Sequence, residues 1–578
     1  MYIDGKVWIG NNDQGERISI IPKMVNRHGL VAGATGTGKT VTLKVMAETF
    51  SDMGIPVFMA DVKGDIAGMM NPGTDSEDMQ KRIEKFNLTD AGFAYKGYPV
   101  TLWDIYGVKG IQLRTTISEM GPMLLARILD LNDLQSDILT VVFKIADDRK
   151  WFLIDTKDLK SVLNYVSDHR GLFEGEYGKM SPASISTIVR AVVALEAAGG
   201  DVFFGEPALR ISDWLTLGDG GKGMINILDS ESLINNGKMY SAFLLWMLSE
   251  LFETLPEVGD LPKPKMVFFF DEAHLLFNGA PKQLLDKIEQ VVKLIRSKGV
   301  GVYFCTQNPK DIPDGVLAQL GNKVQHGLHA YTPSDQKAVK AAAMSFRANP
   351  AFDTEETLTS LGTGKAVVSF LGEDGVPGMA QKVSVLPPQC SMGSIGDGQR
   401  EQSVKSSLFY SKYAEGYDPE SAYEILMRLG QEEQAREEQA AAEAAQVKED
   451  ARLAKEQAKA DEKAAREAEK ESAAKNRAIK SVGNSVLGTI GRAAGRSIGG
   501  SVGGNATADN GKLSVNDGTV IKGKVSSLNG GTVALKKSTA GAIAAAGGAI
   551  TADETAVMGD ASANGKLLGA IAKARPDS

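Results

Sequence analysis

Cysteine is almost missing from this chain: Cys305 and Cys390 are the only two in 578 residues. Two thiols so far apart exclude a disulfide framework and a cysteine-based zinc site. They suit a reducing compartment, so a cytoplasmic location is expected. Positive charge is not in excess either. With 64 Lys and Arg against 72 Asp and Glu, the formal net charge is −8. That argues against a generally basic, histone-like nucleic-acid binder, though a local basic patch or pore is compatible with it. No run of 18 uncharged apolar residues occurs, so no stable membrane span is expected. The opening segment MYIDGKVWIGNNDQGERI lacks the charged-then-apolar pattern of a leader. What is present is ordinary globular material, 43% hydrophobic and 24% charged. That is enough to build a large core, and it excludes whole-chain disorder. At roughly 100–200 residues per domain, the length allows about two to four domains.

Composition divides the chain. Residues 1–390 alternate short apolar runs with amphipathic stretches. The runs are HGLVAG (28–33), IPVFMAD (55–61), YPVTLWD (98–104), GMINILD (223–229), MVFFFDE (266–272), VGVYFCTQ (300–307), KVQHGL (323–328) and KAVVSFL (365–371). Most are continuously apolar, as strands buried on both faces of a parallel sheet are. Helical patterns separate them: TVTLKVMAETFSDMG, the stretch from Met239 to Leu255, and APKQLLDKIEQVVKLIRSKG. In the last, Leu284, Leu285, Ile288, Val291, Val292 and Ile295 share one face. This alternation predicts an α/β doubly wound domain with a mostly parallel sheet. Residues from about 112 to 200 carry only helical patterns and read as a helical insertion.

Beyond Pro387-Pro388, a linker with short helices is expected over 391–430. Residues 431–480, rich in Ala, Glu, Gln and Lys and free of Gly and Pro, predict a charged helix or a weak coiled coil. Small residues recur over 481–504, a spacing that lets helix backbones approach, while Arg492 and Arg496 disfavour membrane insertion. Residues 481–578 together read as a Gly/Ala-rich low-complexity tail with at most a short β segment.

The strongest motif is Gly33-Ala34-Thr35-Gly36-Thr37-Gly38-Lys39-Thr40, which satisfies G-x-x-x-x-G-K-[ST]. Leu30-Val31-Ala32 precedes it and an amphipathic helical pattern begins at Val41, giving the strand–loop–helix unit such a loop needs. Gly33, Gly36 and Gly38 allow backbone conformations that a Cβ would block. Backbone N–H groups from Gly36 to Thr40 then converge on a polyphosphate at the positive end of a helix. Lys39 reaches the β- and γ-phosphates, and Thr40 offers a hydroxyl to Mg²⁺, a cation that prefers oxygen ligands. The expected cofactors are ATP and Mg²⁺, held by Gly33 to Val41.

A phosphate loop needs an acidic partner. Met266 to Phe270 is an apolar strand that ends in Asp271-Glu272-Ala273-His274. A carboxylate there sits at the ligand edge of a parallel sheet. Asp271 is expected to hold Mg²⁺, and Glu272 to orient and deprotonate the attacking water. His274 reads as structural. Gln307, at the end of the next strand, is expected to contact the γ-phosphate or the water. Asp61, with Lys63 and Asp65, lies on the same edge and is expected to support the metal or a neighbouring subunit. Gly362-Thr363-Gly364-Lys365 imitates a second phosphate loop. Position 359 is Thr where a Gly is needed and Ala366 follows the lysine, so it reads as a turn before a strand.

HGLVAG running into ATGTGKT, DVKGD at 61–65, FFFDEAH at 268–274 and CTQNP at 305–309 resemble the HerA-type branch of the FtsK–HerA superfamily. The helix-filled gap between phosphate loop and acidic strand fits as well. Within that branch the chain is most similar to bacterial HerA-like ATPases with an Ala/Glu-rich tail. The resemblance covers about residues 1–430. It implies a RecA-like fold and an ATPase that assembles as a hexameric ring and moves double-stranded DNA, as a translocase or helicase does. It also carries phosphate and Mg²⁺ binding onto Lys39 and Thr40, Mg²⁺ coordination onto Asp271, the catalytic base onto Glu272 and a polar sensor onto Gln307. Such rings use an arginine from the neighbour, for which Arg296 and Arg347 are candidates. HerA helicases carry an N-terminal β-barrel, for which the 27 residues before His28 are too few. Two other readings stay open: an ATPase acting on a protein partner through the 431–504 tail, as in related secretion and conjugation ATPases, and a nucleotide-gated scaffold.

Overall fold

Strands that are apolar at every position need cover on both faces, and the arrangement of this chain supplies it. The computed structural model describes residues 1–277 and 282–479 and, beyond them, strand segments between 497 and 573. It divides into two units, 1–445 and 446–578.

One sheet of thirteen strands organises the first unit: β1 (Tyr2–Ile3), β2 (Lys6–Asn12), β3 (Arg17–Ile20), β4 (Gly29–Ala32), β5 (Val57–Asp61), β6 (Val100–Asp104), β7 (Ile111–Gln112), β8 (Ile225–Asp229), β9 (Met266–Phe270), β10 (Val300–Thr306), β11 (Asn322–His326), β12 (Lys365–Ser369) and β13 (Gln381–Val385). Their spatial order is β1-β2-β13-β12-β11-β4-β10-β9-β5-β8-β6-β7, with β3 also on β2. From β11 to β7 every pairing is parallel. From β11 through β12 and β13 to β2 the pairings are antiparallel. The eight runs read as strands from sequence are β4, β5, β6 and β8 to β12. The residues before His28 build β1 to β3, which join the sheet through β13.

Alternate residues of each buried strand enter different cores. Met266, Phe268 and Phe270 of β9 pack into one cluster with Phe58, Ala60 and Phe304. Val267 and Phe269 pack into the other with Met59, Tyr303 and Phe50. Each Phe so buried stabilises the fold by roughly 1.5–3 kcal/mol relative to exposure. The first cluster continues into the helical insertion, whose helices are Ile117–Ile128, Asp133–Arg149, Thr156–Asp168, Arg170–Tyr177 and Pro182–Leu195. Thr116, Asn132 and Asp155 cap three of them by accepting backbone N–H groups. Among the described residues, Pro182–Phe203 is long and apolar enough to cross a membrane by length and composition. In this structure its Ile185, Ile188, Val192 and Leu195 are buried in the insertion core.

The second core belongs to α1 (Lys39–Asp52), the helix that follows the phosphate loop. The Gly- and Ser-rich segment after Pro388, expected as a linker, is tied to this helix. Glu48 is buried and accepts the amides of Gln389 (3.0 Å) and Cys390 (2.7 Å). Lys44 donates to the carbonyls of Ser391 (3.0 Å), Met392 (3.2 Å) and Asp65 (2.7 Å). Further on, Phe409 and Tyr413 pack against Trp103.

The charged segment is one helix, Ala422–Ile479, with Ala422 and Leu426 buried in the first core and Val447 and Leu453 exposed. Residues 481–496 of the small-residue repeat lie outside the described residues. Beyond them this Gly/Ala-rich tail holds more β-strand than the short segment expected. Two all-parallel sheets of five and seven strands run from Ser497 to Lys573. In the first sheet Lys512 pairs with Thr532, Thr532 with Ala549 and Ala549 with Lys566. In the second, Val520 pairs with Thr539 and Thr539 with Ala556. Most successive strands alternate between the sheets, as in a β-solenoid. Asn510-Gly511, Gly530-Gly531, Gly547-Gly548 and Asn564-Gly565 each precede a strand of the five-stranded sheet. Overall composition conceals that repeat.

Removing the Glu48 carboxylate leaves two buried amides without an acceptor. Glu48→Ala should destabilise the first unit by roughly 2–5 kcal/mol, and Glu48→Gln by less. Urea unfolding followed by tryptophan fluorescence would measure both.

Candidate nucleotide site

Parallel strands deliver their carboxyl ends to one edge of a sheet, so register decides which loops can meet. β10 sets Thr306 beside Ala32 of β4 and Phe304 beside Phe270 of β9, and β9 sets Phe270 beside Ala60 of β5. The phosphate loop, Asp271-Glu272, Gln307 and Asp61 therefore share one edge. β4 and β9 are separated by one strand, roughly 10 Å at about 4.8 Å per step, within the span of a triphosphate and its metal.

The phosphate loop is shaped by glycines with φ of +153° at Gly33, +77° at Gly36 and +114° at Gly38. A Cβ on Gly33 would lie 2.5 Å from the Cβ of His326. Among the described residues, the amides of Thr35, Gly36 and Gly38 have no protein acceptor. Lys39 curls back so that its Nζ donates to the carbonyls of Gly33 (2.7 Å) and Ala34 (3.0 Å). Thr37 Oγ1 donates to Ala34 O (2.7 Å). The 362–365 turn leads into β12 and also braces the loop: the Gly364 amide donates to Thr37 O at 3.0 Å.

His326, at the end of β11, supports the loop from beneath. Its Nε2 is 2.9 Å from Thr42 Oγ1 and its Nδ1 is 3.0 Å from the Lys365 carbonyl. A carbonyl requires an N–H at Nδ1; in the neutral ring Nε2 is then an acceptor for the threonine hydroxyl, which also reaches the Gly38 carbonyl at 3.3 Å. Burial, with the positive charge of Lys39 adding to it, lowers the His326 pKa to about 4.

Asp271 and Glu272 are both buried. Asp271 Oδ1 accepts the Glu272 amide at 2.9 Å. Glu272 has φ +47°, a left-handed conformation that a non-glycine residue holds only when its surroundings enforce it. Lys63 Nζ donates to its Oε1 at 2.6 Å, Gln307 Nε2 lies 3.4 Å from its Oε2, and His274 Nδ1 also lies 3.4 Å from Oε2. Burial alone would raise the Glu272 pKa, but the Lys63 hydrogen bond and charge, with Gln307 and His274, hold it below the ordinary carboxylate value. Asp271 is shifted up by burial, and the hydrogen bond from the Cys305 thiol opposes this only in part. Gln307 lines a cavity of about 300 Å³ together with Ala34, Thr35, His329 and Tyr331. Gln307 and the phosphate loop thus line one space, and Gln307 in turn lies beside Glu272.

This donor set suits a nucleotide with magnesium. The loop offers backbone donors and an ammonium for phosphate, while Thr40 and Asp271 offer oxygen alone. Among the described residues no three His, Cys, Asp or Glu side chains form a self-sufficient metal cluster.

One expectation changes. Asp61 is not available to a metal or a neighbour. Its carboxylate accepts the amides of Lys63 (3.2 Å), Gly64 (2.7 Å) and Ile66 (3.0 Å), and burial, reinforced by Asp65, raises its pKa to about 6. Arg296 precedes β10, at the opposite edge of the sheet, and pairs with Asp260 at 3.2 Å. Arg347 Nη1 lies 3.5 Å from the Pro377 carbonyl. The support given by His326 had no signal in the sequence, since it sits inside a run read only as a strand.

The helicase HerA-like C-terminal family matches residues 6–507. The DNA double-strand break repair helicase HerA of Sulfurisphaera tokodaii is 24% identical over 387 residues, 64% of this chain and 67% of that protein. The protein of the same name from Sulfolobus acidocaldarius is 24% identical over 372 residues, 62% of this chain and 65% of that protein. The chain thus spans about two thirds of the length of each. Among solved structures, the bacterial conjugative coupling protein TrwB, lacking its first 70 residues, superposes with a TM-score of 0.45 at 16% identity, covering 65% of this chain and 90% of that one.

Because His326 titrates far below the usual value of 6.5, the unfolded chain takes up its proton first as pH falls. Its contribution, up to about 3 kcal/mol, is present above pH 6.5 and is lost as pH falls towards 4. His326→Gln should lower stability at neutral pH and flatten this dependence. Unfolding midpoints measured across pH 4–7 would show it.

Proposed function

Because the chain belongs to the helicase HerA-like C-terminal family and is a P-loop ATPase of the HerA/FtsK type, we propose that it hydrolyses ATP with Mg²⁺ to drive double-stranded DNA through a ring of identical copies. The observation that supports the chemistry is the placement of Gln307, which lines one cavity with Ala34 and Thr35 and whose Nε2 lies 3.4 Å from Glu272 Oε2. The free amides of the loop receive the β- and γ-phosphates, and Lys39 transfers its Nζ from the Gly33 and Ala34 carbonyls to them. Thr40 and Asp271 would hold magnesium, whose charge would offset that of the triphosphate. Glu272 takes a proton from water as the water oxygen bonds to the γ-phosphorus. The bond from that phosphorus to the β–γ bridging oxygen breaks, and ADP leaves with the electron pair. Gln307, within reach of both Glu272 and the loop, orients the water or reports the γ-phosphate. Ring assembly and the choice of duplex DNA rest on the family, since the acidic net charge lends no separate support.

Lys39→Ala should abolish ATP binding. Glu272→Gln should keep binding but lower kcat by about 10²–10⁴-fold. Duplex DNA should stimulate the wild-type ATPase, most strongly at low salt. A rate indifferent to DNA from low to moderate salt would count against a DNA motor and favour an ATPase with a protein substrate.

A further inference from the structure

We infer that Lys63 is the positioning residue of the hydrolytic centre, aiming and retaining the Glu272 carboxylate. This rests on the reading of Glu272 as the general base. The geometry is specific. Glu272 ends an apolar strand, is buried, and sits in a left-handed conformation at φ +47°. A carboxylate so placed needs a cation or several donors to stay where it is. Lys63 supplies the short contact, Nζ to Oε1 at 2.6 Å, while Gln307 and His274 stand farther off at the other oxygen. Oε2 is thereby left on the side of Gln307.

The loop that delivers Lys63 is built for the purpose at both ends. Asp61, the last residue of β5, gathers the amides of Lys63, Gly64 and Ile66 on its carboxylate and turns the chain sharply after the strand. Gly64 takes φ +73° within that turn. At the far end, Lys44 of α1 donates to the Asp65 carbonyl at 2.7 Å. The segment 61–66 therefore links the helix behind the phosphate loop to the carboxylate opposite it. Because β5 and β9 are adjacent parallel strands, the turn after one opens directly beside the end of the other. The Lys63 side chain itself is 45% exposed against 6% for Glu272, so its removal opens no core cavity.

The test is a cycle of Lys63→Met, Lys63→Arg, Glu272→Gln and the double variant Lys63→Met/Glu272→Gln, assayed for steady-state ATP hydrolysis, with thermal unfolding as the control for folding. Lys63→Met should lower kcat at least tenfold with KM for ATP within about twofold. Lys63→Arg should recover part of the rate. On the Glu272→Gln background, Lys63→Met should have no further effect, because the residue it acts through is already disabled. Losses that multiply in the double variant, an unchanged kcat, or a rise confined to KM would overturn the proposal, the last by showing that Lys63 contacts nucleotide directly. If Glu272→Gln alone turned over at the wild-type rate, the assignment of the base would fail, and Lys63 would fail with it. That outcome is distinct from an intact Glu272 effect without coupling to Lys63.

Discussion

A carboxylate pair buried at the end of an all-apolar strand must be compensated, and the site is built around that requirement. Strand β9 is five hydrophobic residues with cover on both faces, so nothing within it can stabilise Asp271 and Glu272. Compensation comes from the neighbouring strand ends, with Lys63 after β5 and Gln307 after β10 both directed at Glu272. The two carboxylates accordingly diverge in proton affinity, Glu272 held down by its ammonium partner and Asp271 pushed up by burial.

The phosphate loop answers a different constraint. Among the described residues the amides of Thr35, Gly36 and Gly38 have no protein acceptor, which is tolerable only where a ligand or water can reach them. The surroundings therefore hold its shape from outside. His326 and the Gly362–Lys365 turn press against the loop from the β11–β12 side, and Lys44 and Glu48 fasten the chain after Pro388 and the 61–66 turn to α1. The antiparallel extension from β12 to β1 thus carries more than the edge of the sheet, since it supplies the brace under the loop.

Several of these contacts explain why parts of the site escaped reading along the chain. Asp61 looked like a second metal carboxylate because its position at a strand end is the same as that of Asp271. Only the three amides folded onto it reveal a structural duty. Gly362-Thr363-Gly364-Lys365 was recognisable as a turn, but its hydrogen bond to Thr37 joins residues more than three hundred positions apart. The C-terminal solenoid was hidden for another reason. Small residues and glycines dominate its composition, and the order in them appears only as recurring Gly-containing pairs ahead of paired strands.

The linear order of residues was sufficient for whatever depends on neighbours in the chain. It gave the eight buried strands, the strand–loop–helix unit at Gly33 to Thr40, the acidic end of β9 and the helical character of the insertion, because hydrophobic periodicity and glycine placement act over a few residues. Tertiary structure alone decided what depends on strand order: that β10 lies between β4 and β9, that Lys63 meets Glu272, that His326 supports the loop, and that the segment after Pro388 is fastened rather than free. These are contacts between residues far apart in sequence, and the pairing energies that select one strand order are shared across a whole sheet rather than written in any one segment.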